Sequence, residues 1–184
     1  MPISPEFMTI YTRIESPLGQ LLLTSTEDKL SGLYFADQPH ARLNPEWMEG
    51  TAEIFAQTKQ QLKEYAAGTR KRFDLTLSLT GTPAQMKVWQ EIATIPFGLT
   101  MTYSELAQRI GSPDAVRAVG GATGRNPVSW IIPCHRVMGK NGALTGYAGG
   151  VLRKKALLEF EAALAIGVNA ALSAKALFSS LETR

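Results

Sequence analysis

Residues 102–122 read TYSELAQRIGSPDAVRAVGGA, and two short helices joined by a tight turn are written into that run. Thr102 and Glu105 have the spacing of a capping box, in which a hydroxyl and a carboxylate satisfy two free backbone N–H groups at a helix start. The helix so opened should end near Ile110, where Gly111 and Ser112 turn the chain. Pro113 suits the first position of the next helix. The pattern is that of a helix-turn-helix. Its second helix, Asp114 to Ala122, carries one long cation, Arg117, among small residues. No Asn, Gln or second Arg stands where a sequence-reading helix would place it in the major groove. A smooth helix with one arginine fits close, sequence-tolerant approach to a duplex. The plain alternative is that Arg117 covers a solvated face.

Upstream, Thr82, Pro83 and Gln85 form a second capping box with proline at the first helical position, opening a helix that carries Val88, Trp89 and Ile92. Residues 95–100, with Pro96 and Gly98, read as a loop. Before Gly81 the pattern changes. Short apolar runs from Thr9 to Phe35, broken at Pro17, Gly19 and the Glu27–Asp28 pair, predict an antiparallel meander. Trp47, Thr51, Ile54, Phe55, Thr58, Leu62 and Tyr65 recur three or four apart and predict a helix over 45–67, stopped by Gly68. Phe73, Leu75, Leu77 and Leu79 alternate as a further strand. The fold class expected is α+β: a small N-terminal α/β-type domain with an antiparallel sheet over 8–80, then a mostly helical domain containing the helix-turn-helix over 81–166. Met1 to Phe7 reads as an expression remnant ahead of Met8. In the tail, 167–184, Leu177, Phe178 and Leu181 leave a docking helix and a disordered segment both open.

The 184 residues suffice for one domain with a full core or two small ones. No apolar run approaches membrane-spanning length and no signal peptide is visible, so no membrane partner and a cytoplasmic location are expected. Charge is uneven: residues 1–80 hold 8 Lys+Arg against 10 Asp+Glu, and residues 81–184 hold 11 against 6. Any attraction for a polyanion therefore belongs to the second half. One cysteine and two histidines offer no metal site, and no cofactor is expected.

That cysteine, Cys134, lies in the run Pro133, Cys134, His135, Arg136, Val137, after Gly124, Arg125, Asn126, Pro127 and the apolar Val128 to Ile132. A lone thiol is by default a small buried hydrophobe. Here the adjacent imidazole and guanidinium are expected to lower its pKa and favour the attacking thiolate. In an extended chain Cys134 and His135 would point to opposite sides, so a bridging water or a bend after Pro133 is needed for His135 to act as base. On a helix from about Leu152 to Ala165, Glu161 falls on the side of Leu157, Leu158 and Leu164, while Glu159 faces solvent. A semi-buried carboxylate needs a donor. His135 would complete a Cys134, His135, Glu161 relay; a rim pairing of Glu161 with Lys154 or Lys155 is the alternative.

Pro133 to Val137, with Arg117 to Gly121, Asn126–Pro127 and Gly146 to Gly150, closely resembles the methylated-DNA protein-cysteine methyltransferases (O6-alkylguanine-DNA alkyltransferases), from about Gly81 to Glu161. The resemblance implies direct-reversal repair: an alkyl group passes irreversibly from O6 of guanine, less readily from O4 of thymine, to Cys134. It implies that His135 acts through a water, that Glu161 supports it, and that Tyr103 assists the leaving guanine and helps turn the nucleotide out. It makes Arg117 the residue that fills the vacated place, with Ser112, Ala118, Gly120 and Arg125 also facing DNA. It assigns Asn126 to bracing the turn before Cys134, and Ser129, Trp130, Val137, Tyr147, Ala148 and Gly149 to the pocket and its support. The partner implied is double-stranded DNA carrying alkylated guanine, bound by a monomer that can assemble along it.

Two departures from the family bear on pocket width: Ser129 stands where many relatives have proline, and Trp130 where an aliphatic residue is usual. Other classes have discriminating features. A lesion-binding alkyltransferase-like protein would lack Cys134. A cysteine hydrolase using the same Cys, His, Glu trio would need an oxyanion hole, and a helix-turn-helix regulator would need base-reading side chains.

Overall fold

A computed structural model describes residues 8–39, 41–167 and 169 of the chain. The expectations for Met1 to Phe7 and for Leu177, Phe178 and Leu181 lie outside the described residues. Three antiparallel strands, β1 (Ile10–Ile14), β2 (Leu21–Thr26) and β3 (Lys29–Phe35), form the predicted meander. Glu27 and Asp28 join β2 to β3 with positive φ at both positions, the backbone of a tight hairpin turn whose twist matches the strands. Leu21, Leu22 and Leu23 are all buried, so β2 is covered on both faces.

A short strand, β4 (Met48–Glu49), pairs parallel with β1 and gives the order β3-β2-β1-β4. This corrects the helix expected over 45–67: helix α1 spans Glu53–Ala66, and Trp47 and Thr51 precede it. The apolar spacing continues backwards past the helix. The backbone does not, because Asn44 caps a turn by accepting from Glu46 and Trp47, and Met48 and Gly50 then donate to Thr9, just before β1, and to Tyr11 on it. Ile54, Phe55, Thr58, Leu62 and Tyr65 form the buried stripe of α1, and Gly68 ends it with φ +73°.

The strand expected at Phe73 to Leu79 is also corrected. Among its residues only Leu77 forms a bridge, with Leu30, through Leu30 N–H to Thr76 O and Ser78 N–H to Leu30 O. The open edge of β3 is divided between two segments. At Leu33 it is taken over by Pro127 and Ser129: Leu33 N–H donates to Pro127 O (2.8 Å) and Ser129 N–H to Leu33 O (3.1 Å). Neither segment has room for a ladder.

The second half is mostly helical, as expected. Helix α2 (Pro83–Ala93) and helix α3 (Tyr103–Arg109) both open with complete capping boxes, Thr82 with Gln85 and Thr102 with Glu105. Gly111, at φ +73°, makes the turn. Pro113–Ala115 is one turn of 3-10 helix and α4 runs from Val116 to Gly124, so the second helix begins three residues later than Pro113 suggested. A two-residue parallel pair, β5 (Met101–Thr102) and β6 (Val137–Met138), links the start of α3 to the segment after the cysteine. Helix α5 (Val151–Ala165) closes the described fold. Trp89 Nε1 donates to Ala122 O at 2.8 Å and fixes α2 on α4. One continuous core unites Leu23, Leu30 and Tyr65 with Trp89, Leu106, Val119, Leu157 and Phe160. Among the described residues no helix is long and apolar enough to cross a membrane.

Candidate active site

Between α4 and the cysteine the chain makes a compact double bend. Asn126 holds it: its Nδ2 donates to Ile132 O (2.8 Å) and to Cys134 Sγ (3.1 Å), and its Oδ1 accepts from Val128 N–H (3.1 Å). Pro133, at φ −79° and ψ 62°, forms an inverse γ-turn closed by Cys134 N–H to Ile132 O. Cys134–Arg136 then winds into a 3-10 turn. The bend after Pro133 is therefore present, and it faces His135 inward without a direct bond to the thiol. Sγ accepts from Asn126, while His135 Nδ1 has no partner within the protein.

His135 and Glu161 come together as the helix periodicity suggested. His135 Nε2 lies 2.8 Å from Glu161 Oε1, both residues fully buried. Glu161 accepts more than His135 offers. Arg136 forms a forked contact, Nη2 to Oε1 at 2.8 Å and Nε to Oε2 at 2.9 Å, and Gly98 N–H reaches Oε2 at 3.1 Å. Tyr65 Oη, from α1, donates to Oε1 at 2.5 Å. Burial opposes the charge of Glu161, yet His135 and Arg136 hold its carboxyl far below the usual range. Burial is also the main influence on His135 and lowers it, against the pull of Glu161. The ring is consequently neutral at neutral pH. The rim pairing does not occur: Lys155 contacts Glu159, and Lys154 turns to backbone carbonyls.

The expectation that His135 and Arg136 depress the thiol pKa is not met. Burial raises it, partly offset by the Asn126 hydrogen bond and the charge of Lys154. Arg136 is committed elsewhere, to Glu161 and to Ile95 O at 2.7 Å. Lys154, which sequence reasoning treated only as a rim residue, is fully buried and donates to Val137 O and to Thr145 O (2.8 Å). Burial lowers its pKa to about 8, against the attraction of Cys134. Its position seven residues before Glu161, two turns along the same face, was the available signal. Tyr65 offered less, being one of two aromatics, with Phe55, on the apolar stripe of α1.

Tyr103, at the start of α3, donates to Thr145 O at 3.1 Å, and burial followed by the nearness of Cys134 raises its pKa. Gly146, at φ +70°, passes so close that an added Cβ would stand 2.5 Å from Tyr103 Oη. Tyr147 packs edge-on to the His135 ring at 6.4 Å. Val137 and Gly149 are buried and Ala148 is half-buried. Trp130 meets the thiol through its backbone N–H. Trp130, at φ 76°, points its indole into the core, stacked on Phe35 and edge-on to Tyr65, and Ser129 N–H is spent on β3. The bulk of Trp130 thus joins the two halves of the molecule.

On α4, Arg117 and Ala118 are exposed and Gly120 is half-buried. Ser112 lies exposed in the turn before it, and Arg125, exposed at its end, folds back to Gly121 O at 3.2 Å. Arg117, Ala118 and Arg125 border one shallow depression. Among the described residues no three His, Cys, Asp or Glu side chains converge as metal ligands would.

Two family models match the chain: "6-O-methylguanine DNA methyltransferase, ribonuclease-like domain" over residues 9–79 and "6-O-methylguanine DNA methyltransferase, DNA binding domain" over residues 83–163. A constitutive methylated-DNA–protein-cysteine methyltransferase of Bacillus subtilis is 45% identical over 158 residues, covering 82% of this chain and 93% of that protein. One from Methanosarcina acetivorans is 44% identical over 152 residues, covering 82% and 97%. The crystal structure of Mycobacterium tuberculosis OGT in complex with DNA superposes with a TM-score of 0.80 at 42% identity, covering 90% of this chain and 98% of the other.

Proposed function

The chain belongs to the methylated-DNA–protein-cysteine methyltransferase family, and from that premise we propose that Cys134 is the acceptor, with His135, Glu161 and Tyr103 serving it. The protein repairs DNA by taking an alkyl group onto a cysteine of its own. The observation that carries the assignment of Cys134 is the buried His135–Glu161 pair, whose histidine lies in the very turn that holds the sole cysteine of the chain.

The substrate is duplex DNA with an alkyl group on O6 of guanine, and less readily on O4 of thymine. That oxygen lies inside the base stack, so the nucleotide must be turned out before a buried thiol can reach it, at a cost of a few kcal/mol. Arg117, exposed on a helix of small residues, fills the gap left behind. Ser112, Ala118, Gly120 and Arg125 face the duplex, and Val137, Tyr147, Ala148 and Gly149 form the wall against the extruded base. The thiol proton passes through a water to His135 Nδ1, and the imidazolium is balanced by Glu161. Sγ attacks the alkyl carbon, the S–C bond forms as the C–O bond breaks, and the electron pair leaves with guanine. Tyr103 donates its proton to that anion. The thioether formed has no hydrolytic exit, so each molecule acts once. Residues 8–80 support the site and residues 81–166 contain it. The protein works as a cytoplasmic monomer without a cofactor and can line up along DNA.

Intact-mass spectrometry after incubation with duplex containing O6-methylguanine tests the acceptor. Wild type gains one methyl group and Cys134→Ala gains none while still binding that duplex. A well-folded wild type of unchanged mass would overturn the assignment.

A further inference from the structure

On the reading that His135 and Glu161 serve Cys134, the geometry points to Tyr65 as a positioning residue for that pair, which makes the first half of the chain a working part of the alkyl-transfer site. Tyr65 lies in the last turn of α1, 96 positions before Glu161. Its ring is fully buried among four others, Phe73, Phe97, Trp130 and Phe160, at centroid distances of 5.5 to 5.7 Å. Phenylalanine would fill such a cage equally well. The hydroxyl is what tyrosine adds, and a buried hydroxyl needs a partner.

That partner is Glu161 Oε1, at 2.5 Å, the same oxygen that His135 Nε2 meets at 2.8 Å. Arg136 spans both oxygens, Nη2 on the same Oε1 at 2.8 Å and Nε on Oε2, where Gly98 N–H joins it. Tyr65 and His135 therefore draw on the charge of one oxygen. What the phenol takes is withdrawn from the stabilisation of a proton on His135. Burial, followed by the charge of Glu161, keeps the phenol protonated far above its ordinary range, so it donates throughout the working pH. The groups facing His135 from each packed element are Glu161 and Lys154 on α5, Cys134 and Arg136 in its own turn, Tyr147 in the loop before α5 and, through Glu161, Tyr65 on α1. Of these, Tyr65 comes from the first half of the chain. It sets how basic His135 is, and with it how readily the thiol gives up its proton.

The test compares wild type, Tyr65→Phe, and a protein with 3,5-difluorotyrosine, a stronger donor of the same shape, at position 65. The chain carries two histidines, His40 and His135, so an imidazole NMR titration with a His40→Gln control isolates His135. Tyr65→Phe should raise the His135 midpoint by about one unit, within what one hydrogen bond to a charged group supplies. The difluoro protein should lower it. Where His135 titrates below the pH range of the folded protein, its Nε2–H resonance reads the same effect, downfield in Tyr65→Phe and upfield in the difluoro protein. The acid limb of alkyl uptake by Cys134 should move with the midpoint. Coincident His135 signals in all three proteins would overturn the role of Tyr65, even with wild type fully active. A wild type that takes no alkyl group counts against the acceptor assignment instead, and the titration still decides Tyr65. If Tyr65→Phe does not fold, the difluoro protein alone decides, an unchanged signal overturning the role.

Discussion

Tyr103 and Lys154 share one acceptor: the Thr145 carbonyl oxygen lies 3.1 Å from the phenol and 2.8 Å from the ammonium. The ammonium also stands 5.9 Å from the centre of the Tyr103 ring, close enough for a cation–π attraction. The residue proposed to protonate the leaving base is thus held by the loop that a buried cation pins to β6. Thr145 O therefore has a second donor besides Tyr103.

Lys154→Met should preserve the volume and remove both the pin and the positive charge near Cys134. Single-turnover alkyl transfer should slow by about tenfold or more, the scale of losing a charged hydrogen bond of ~1.5–3 kcal/mol. The stability signature is separate. The folded pKa of Lys154, about 8, lies below its unfolded value. Between about pH 8 and 10 the unfolded chain therefore binds more protons there, and this residue makes stability rise with pH. Urea midpoints of wild type minus variant should increase over that window; a flat difference would contradict the burial of the charge.

Glu161 gives the opposite dependence. Its folded pKa is depressed, so its contribution is fully present above the unfolded carboxylate value, near 4.3, and is lost as pH falls toward the folded one. Acid titration of the urea midpoint from pH 6 downward should show a loss that Glu161→Gln lacks. At pH 7 that variant should be about 3–5 kcal/mol less stable, because Arg136 is left buried without its counter-charge.

Arg117→Ala removes an exposed side chain from α4 and should leave stability within about 0.5 kcal/mol of wild type. Repair of O6-methylguanine in duplex should slow far more than reaction with the free modified base. Equal slowing on both substrates would show that Arg117 does not act in flipping.

What could be read from sequence was local. Both capping boxes, the turn at Gly111 and the inward placement of Glu161 on α5 depend on residues within about eight positions of one another, and each appears where its pattern put it. The His135–Glu161 pair was legible because helical periodicity limits where a carboxylate can point. Contacts set by tertiary packing were not. The two-residue β4 has no pattern of its own, and apolar spacing at Trp47 and Thr51 imitated a longer helix. Charge neighbours in sequence suggested an acidic thiol, yet Arg136 turns away to Glu161 and burial decides the direction. Tyr65 and Glu161 are separated by 96 positions, a distance over which one hydroxyl on an apolar stripe gives no signal.

The backbone stitch between Leu33 and the segment Pro127–Ser129 bears on synthesis. A chain is made from its N-terminus, and sheet edges left open meanwhile invite pairing with other chains. Here the outer edge of β3 at Leu33 stays bare until residues 127–129 have emerged, and the residue that closes it lies five positions before Cys134. The segment that closes the sheet edge therefore runs directly into the turn that holds Cys134. A ribosome product ending short of Pro127 would have neither Cys134 nor a protected edge at Leu33.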